Sequence, residues 1–261
     1  MAFVFPGQGS QYVGMGKALY EVSETARRVF RRADDILGFG LSRLCFEGPE
    51  QDLNDTFNAQ PAILTVSIAC LNVMRERWQA MGQVIAPRYV AGHSLGEFTA
   101  LVAADVMDFE SALLLVRERG RLMKENGNER PGGMLAVLGL EREAVEAVVA
   151  EAAASGVITL ANANSPGQIV LSGEAAALDR AAELARTRGA VRVVRMADHI
   201  LKPVQWTASV LEMVTRGSAE FLEIGPGQVL SGLIRRTSRE AHVVTLNDRE
   251  VARALSPFPQ A

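Results

Sequence analysis

Short apolar runs alternate with amphipathic helical segments along the first half of the chain. A strand is predicted at residues 3–5, helices at 19–37 and 59–81, a second strand around Tyr89, and a further helix at 109–125. Strands that alternate with helices favour a largely parallel sheet with helices packed on it. The pattern therefore predicts an α/β fold, with a mostly parallel sheet flanked by helices.

The pattern changes at Gly132 to shorter units. Strands are predicted at residues 134–138, 157–161, 168–172 and 191–196, with helices at 141–154 and 174–188. This βαββαβ order is that of a ferredoxin-like unit. It predicts a small inserted domain over residues 129–196, within a large domain built from residues 1–128 and 197–261.

Composition excludes several classes of function. A chain of 261 residues with 48% hydrophobic content can bury one large core and a smaller one. Its net charge of -3 argues against nucleic-acid binding, and the apolar stretch at 61–74 is too short and too polar to span a membrane. Cys45 and Cys70 lack metal-ligand spacing. The start of the chain lacks a signal-peptide pattern, so we expect a cytoplasmic protein.

The most informative motif is Gly92-His-Ser94-Leu-Gly96, which lies between an apolar run and a helical segment. A serine between two glycines at a strand-to-helix turn is typical of a nucleophile elbow, where the hydroxyl is exposed above the sheet. The helix that follows favours negative charge at its N-terminus. Ser94 is therefore the candidate nucleophile, and an ordinary glycine-bounded turn is the alternative.

A glycine-rich loop follows the first strand, from Pro6 to Gly16. It matches neither a dinucleotide-binding fingerprint nor a P-loop. Its glycines would let backbone N–H groups approach a developing oxyanion, which an elbow serine requires. A plain strand-to-helix turn is the alternative.

Arg119 stands out among the arginines of the helix at 109–125, because Gly120 follows it. Glycine costs stability inside a helix, so its presence suggests a close approach by another part of the chain. Arg119 could then turn inward as a cation.

Together, seven stretches resemble the malonyl-CoA:acyl carrier protein transacylases and their acyltransferase-domain relatives. These stretches are Phe5-Pro-Gly-Gln-Gly-Ser-Gln11, Asn58-Ala-Gln60-Pro-Ala62, Gly92-His-Ser-Leu-Gly-Glu97, Arg119-Gly120, Asn162-Ala-Asn-Ser-Pro-Gly-Gln168, Pro203-Val-Gln-Trp206 and Glu223-Ile-Gly-Pro-Gly227. The resemblance implies a hydrolase-like large domain with a ferredoxin-like insertion. It also implies a malonyl group that passes from coenzyme A through a serine ester to the phosphopantetheine thiol of acyl carrier protein.

The resemblance also implies roles for single residues. Ser94 would be the nucleophile, the N–H groups of Gln8 and Leu95 would form the oxyanion hole, and Arg119 would pair with the malonate carboxylate. Gln60 and Asn162 would line the substrate site. Malonyl-CoA and acyl carrier protein would be the partners of a monomer that uses no metal or organic cofactor, with coenzyme A entering as part of the substrate.

The chain departs from the family pattern at the catalytic histidine. Only six residues separate Met196 from Pro203, where relatives have several dozen that include this histidine, so an internal segment near residue 197 is missing. His199 is the candidate base. Counted back from Pro203, it takes the place of a glutamine in the relatives; counted forward from Met196, it lies slightly before the place of their catalytic histidine. His93 adjoins the nucleophile and favours packing, and His242 lies in a strand-like run.

Two alternative functions remain at the sequence level. An esterase of the α/β-hydrolase type would share the elbow but would give Arg119 no purpose. A truncated, inactive family member would follow from the missing segment.

Overall fold

The computed structural model describes residues 1–129, 132–196 and 204–255. They form two compact units. The first contains Met1–Arg121, Met213–Arg235 and the stretch that begins at Glu240, and the second contains Leu122–Glu212 and Arg236–Arg239. The sequence places the domain limits at residues 129 and 197, and those limits stay a prediction.

The first unit is built on four strands: β1 (Ala2–Phe5), β2 (Tyr89–Gly92), β7 (Glu220–Ile224) and β8 (His242–Leu246). They form a parallel sheet in the order β2-β1-β7-β8. All four residues of β1 are buried, as expected for an apolar strand with a neighbour on each side. This pairing sets Phe5 opposite Gly92.

Helices accompany this sheet. They are α1 (Lys17–Val22), α2 (Glu24–Leu37), α3 (Leu41–Glu47), α4 (Glu50–Asn54), α5 (Thr56–Ala80), α6 (Gly96–Ala103), α7 (Phe109–Glu129), α11 (Val229–Thr237) and α12 (Asp248–Leu255). The predicted architecture of parallel strands flanked by helices is confirmed.

The helix predicted over residues 19–37 is broken in the structure. Ser23 has an extended backbone, ends α1 and caps α2, because its hydroxyl accepts a hydrogen bond from the Ala26 N–H at 3.2 Å. A serine N-cap supplies the acceptor that a helix start lacks. The apolar periodicity continues across this break, so the periodicity alone does not reveal it.

Helix α5 is the core of the first unit. Of its 25 residues, 16 are buried, including the polar side chains of Gln60, Thr65 and Ser67. Among the described residues it is long and apolar enough to cross a membrane, but 83% of its most apolar window is buried inside the protein. That burial is typical of a core helix, and the helix lies against neighbours on nearly all sides.

The second unit has the element order β3 (Gly132–Leu138), α8 (Arg142–Ala152), β4 (Ile158–Ser165), β5 (Gln168–Glu174), α9 (Ala175–Thr187) and β6 (Arg192–Met196). Its sheet has the order β4-β5-β3-β6, and all three pairings are antiparallel. Side chains from α8 and α9 pack with one face of this sheet in a separate apolar core. Helix α10 (Trp206–Thr215) begins within the second unit and ends in the first.

A buried carboxylate joins β7 to α11. Glu223 is fully buried and accepts hydrogen bonds from the backbone N–H groups of Leu230 and Ser231, at 2.9 and 2.7 Å, and from the Ser231 hydroxyl at 2.5 Å. These N–H groups belong to the first turn of α11, where backbone N–H groups have no carbonyl acceptor within the helix. The turn Gly225-Pro-Gly227 thus begins a helix whose N-terminus is capped by a strand residue.

We expect Glu223→Gln to lower the free energy of unfolding by about 1.5–3 kcal/mol, because an amide keeps one acceptor oxygen and sets N–H donors against N–H donors. Urea unfolding followed by circular dichroism measures the change. The control is Glu220→Gln, an exposed carboxylate on the same strand, which should change stability by less than about 0.5 kcal/mol. Equal effects of the two substitutions would contradict the capping role.

Candidate active site

Ser94 lies on a tight turn between β2 and α6. Its φ is +57°, in the left-handed region that residues other than glycine rarely adopt. A Cβ atom at Gly92 would lie 1.9 Å from the Gly96 carbonyl, and one at Gly96 would lie 2.2 Å from the Phe5 carbonyl oxygen. Both glycines are therefore required by contact between backbones. This is the strand–turn–helix context expected of an elbow serine.

The glycine-rich loop that follows β1 packs directly on this turn. A Cβ atom at Gly7 would lie 2.4 Å from the His93 carbonyl oxygen, and the His93 N–H donates to the Phe5 carbonyl at 3.1 Å. The loop and the elbow meet because β1 and β2 are adjacent parallel strands, whose carboxyl ends lie at the same edge of the sheet. The loop is thus next to Ser94, as an oxyanion role would need.

The two predicted oxyanion donors lie on either side of this contact. Leu95 is buried and directly precedes α6, and among the residues that the structure describes its N–H donates to no carbonyl. Gln8 lies in the loop and is half-buried. Backbone amides at a helix start and in a glycine-rich loop are the kind of donors that form an oxyanion hole. Their catalytic role stays a prediction.

Arg119 extends from α7 to the elbow. One terminal nitrogen donates to the Ser94 hydroxyl oxygen at 2.8 Å, and the other donates to the Gln60 side-chain oxygen at 2.5 Å. The approach inferred from Gly120 occurs here, since a Cβ atom at that position would lie 2.6 Å from the Thr56 carbonyl oxygen. The missing side chain lets α7 touch the first turn of α5, and Arg119 then reaches Ser94.

The Arg119 guanidinium has only neutral hydrogen-bond partners among the described residues. Burial lowers the pKa of its guanidinium, and the nearby Glu97 carboxylate opposes that effect. An arginine stays protonated in proteins, so this is a partly desolvated cation beside a serine. A guanidinium in that state favours an anionic ligand and can hold a carboxylate through two parallel hydrogen bonds.

The remaining candidate residues are Asn162 and three histidines. Asn162 is buried in β4 of the second unit, and its side-chain oxygen accepts from the Val204 N–H at 3.4 Å. His242 is exposed at the start of β8. His93 is part of the elbow, and its carbonyl accepts from the Gly96 N–H at 3.0 Å. The predicted base, His199, lies outside the described residues.

The structure adds one residue that the sequence analysis missed. The Thr56 hydroxyl donates to the Gln8 side-chain oxygen at 2.9 Å and accepts from the Gln60 side-chain nitrogen at 3.0 Å. Thr56 and Gln60 are four residues apart on α5, so they share one helix face. That spacing is the signal from which Thr56 could have been found.

Comparison with known proteins reveals extensive similarity. Residues 2–201 match the family described as acyl transferase domain. The malonyl CoA-acyl carrier protein transacylase of Bacillus subtilis is 36% identical, over 96% of this chain and 94% of that protein. The acyl-carrier-protein S-malonyltransferase of Bartonella henselae has a TM-score of 0.90 at 33% identity, with 97% of each chain covered.

A third relative was solved as a complex. It is a malonyl-transacylase bound to its type II polyketide synthase acyl-carrier protein, with a TM-score of 0.89 at 33% identity, over 97% of this chain and 98% of that one. The alignment with the Bacillus subtilis protein spans 304 positions, more than the 261 residues of this chain, so it contains gaps opposite residues of the relative. The sequence predicts such a gap near residue 197, and its location stays a prediction.

The contact between α7 and α5 yields a stability prediction. Gly→Ala inside a helix normally adds about 1 kcal/mol, but Gly120→Ala should instead destabilise the protein by about 1–3 kcal/mol, because the added methyl group meets backbone atoms. Gly40→Ala is the control for a methyl group that has room, since its Cβ atom would make only an ordinary contact at 3.6 Å; Gly40 is the N-cap of α3, so its replacement should cost less than about 1 kcal/mol. Urea unfolding measures both changes. A Gly120→Ala variant as stable as the native protein would contradict the close approach.

Proposed function

The chain belongs to the acyl transferase family, and we propose that it transfers a malonyl group from coenzyme A through a Ser94 ester to the phosphopantetheine thiol of acyl carrier protein. This reaction serves fatty-acid or polyketide synthesis. The observation that carries the proposal is the Arg119 guanidinium, hydrogen-bonded to the Ser94 hydroxyl and without an acidic hydrogen-bond partner among the described residues. An esterase of uncharged substrates has no use for a buried cation at its nucleophile.

The first half-reaction forms the ester. The Ser94 oxygen attacks the thioester carbonyl and loses its proton, a tetrahedral oxyanion forms, the carbon–sulfur bond breaks, and the coenzyme A thiol leaves with a proton. The N–H groups of Gln8 and Leu95 receive the oxyanion, a contribution of about 2.7–4 kcal/mol for each donor in related chemistry. In the second half-reaction the carrier protein thiol attacks the same carbonyl, and Ser94 regains its proton.

Arg119 selects the acyl group. A guanidinium has donors and no acceptor, so in the free protein it uses the Ser94 oxygen and leaves the hydroxyl proton available to a base. When the substrate binds, its terminal carboxylate takes over these donors, while Gln60 continues to hold the guanidinium from the other side. A lysine could not form the same paired contacts.

Several further features belong to the proposal. The protein acts as a cytoplasmic monomer on malonyl-CoA and acyl carrier protein, and coenzyme A enters as substrate while no metal or organic cofactor takes part. The solved complex of a relative with its acyl-carrier protein supports acyl carrier protein as the partner of this chain. The βαββαβ order and the β4-β5-β3-β6 sheet support a ferredoxin-like identity for the second unit. Asn162 stays a predicted substrate-binding residue.

His199 is proposed as the general base. A serine at neutral pH needs a neighbouring base to become a good nucleophile. Of the three histidines, His242 is exposed on β8 and His93 belongs to the elbow itself, which leaves His199 for the role.

Labelling with radioactive substrates tests the function. Ser94 should become labelled by malonyl-CoA without release of free malonate, and Arg119→Ala should slow this labelling roughly 10- to 100-fold, because it removes hydrogen bonds to a charged group. Labelling by acetyl-CoA should be spared. The ratio of the two rates is measured by peptide mass spectrometry.

The controls are Ser94→Ala, which should give no label, and Arg121→Ala. Arg121 lies on the same helix but is half-exposed and paired with Glu118, so its removal should leave the ratio unchanged. Equal loss for malonyl and acetyl groups in Arg119→Ala would refute the clamp, and rapid release of malonate would favour the esterase.

Replacement of His199 tests the base separately. If His199 is the base, His199→Ala should slow malonyl transfer to a carrier protein about 10²- to 10⁴-fold, while binding of malonyl-CoA, measured by calorimetry, stays within a factor of about two because the clamp remains. His242→Ala is the control and should leave transfer unchanged. An unaltered transfer rate in His199→Ala would remove it from the mechanism.

A further inference from the structure

A continuous series of hydrogen bonds connects the nucleophile to the glycine-rich loop. It runs from Ser94 to Arg119 at 2.8 Å, from Arg119 to Gln60 at 2.5 Å, from Gln60 to Thr56 at 3.0 Å, and from Thr56 to Gln8 at 2.9 Å. All five residues belong to the first unit. The series therefore joins the proposed carboxylate clamp at one end to the proposed oxyanion loop at the other.

The donor and acceptor groups fix the direction of this series. Arg119 can only donate, so the side-chain oxygen of Gln60 must face it. The amide nitrogen of Gln60 then points to Thr56, whose hydroxyl oxygen accepts. The single hydroxyl proton of Thr56 is left to donate to the Gln8 side-chain oxygen. At position 56 one hydroxyl group therefore accepts from Gln60 and donates to Gln8 at once.

The backbone of Thr56 takes part in the same contact region. It is the first residue of α5, its carbonyl oxygen is the atom closest to a Cβ atom at Gly120, and the preceding Asp55 caps the helix by accepting from the Phe57 N–H at 3.0 Å. The position of Thr56 is therefore determined by the helix cap on one side and by α7 on the other. Its hydroxyl is held by a rigid helix start.

We propose that Thr56 is a positioning residue that couples the oxyanion loop to the Arg119 clamp. This inference rests on the proposed function. Through Gln60 the hydroxyl fixes the orientation of the guanidinium, and through Gln8 it fixes the loop that carries one oxyanion donor. Thr56 itself touches neither the substrate nor the reacting atoms.

Substitution at Thr56 with a matched control tests the coupling. Thr56→Val keeps the branched shape but removes the hydroxyl, which leaves the Gln60 nitrogen and the Gln8 oxygen without this partner. Thr56→Ser restores a hydroxyl. Thr65→Val makes the same chemical change on the same helix, at a buried threonine whose hydroxyl donates only to the Pro61 carbonyl at 2.8 Å among the described residues.

Binding is measured by calorimetry. The ligands are analogues of malonyl-CoA and acetyl-CoA in which a methylene group replaces the thioester sulfur. They cannot transfer the acyl group, so the measurement does not depend on a catalytic base. Thr56→Val should reduce the preference for the malonyl analogue by about 3- to 10-fold, the effect of one or two neutral hydrogen bonds. Thr56→Ser should restore it to within a factor of about two, and Thr65→Val should leave it unchanged. If Thr56→Val does not fold, Thr56→Ala replaces it in the same measurements.

A double substitution shows whether Thr56 acts through Arg119. In an Arg119→Ala background, Thr56→Val should have no further effect on the preference, since coupled residues are not additive. An additive effect, or an unchanged preference in Thr56→Val alone, would overturn the inference. If the native protein itself shows no preference for the malonyl analogue, the proposed function fails before Thr56 is tested.

Discussion

The pairing of β1 with β2 is the constraint on which the site depends. It sets Phe5 opposite Gly92 and brings the carboxyl ends of two adjacent strands to one edge of the sheet. The loop after one strand and the turn after the other then approach so closely that Gly7, Gly92 and Gly96 have no room for a Cβ atom. Glycines at these positions cost backbone entropy on folding, but only glycines let the amide groups lie beside a strained serine.

The second constraint is the contact of α7 with the first turn of α5. A helix normally keeps its neighbours at side-chain distance, but Gly120 lets the two backbones touch. Only then can Arg119 reach Ser94 and Gln60 together. Because the guanidinium is held by packed helices rather than by a mobile loop, little side-chain entropy remains to be lost when an anion binds.

Much of this could be predicted from the sequence, because local rules determined it. The elbow, the parallel sheet and the inward Arg119 all followed from residues whose chemistry is unusual for their position, such as Gly120 inside a helix. The break at Ser23 was missed because a hydrophobic pattern does not show where a side chain caps a backbone. Thr56 was missed because its contact with Gln8, 48 residues away, leaves no periodic signal, so only its four-residue spacing from Gln60 could have indicated it.

In the proposed mechanism, separate parts of the chain supply selectivity and proton transfer. Ser94, Arg119, Gln60, Thr56 and Gln8 all come from the first 119 residues and from the first unit. The gap relative to the family is predicted near residue 197, after β6 and within the sequence range of the second unit, close to His199 in the sequence. A shortened connection there would leave the contacts of Arg119 and Ser94 intact, because none of the five residues of the first-unit network belongs to that stretch. In the proposed mechanism the two properties would therefore change independently: recognition of a carboxylate would depend on helix contacts, and the rate would depend on the position of one imidazole.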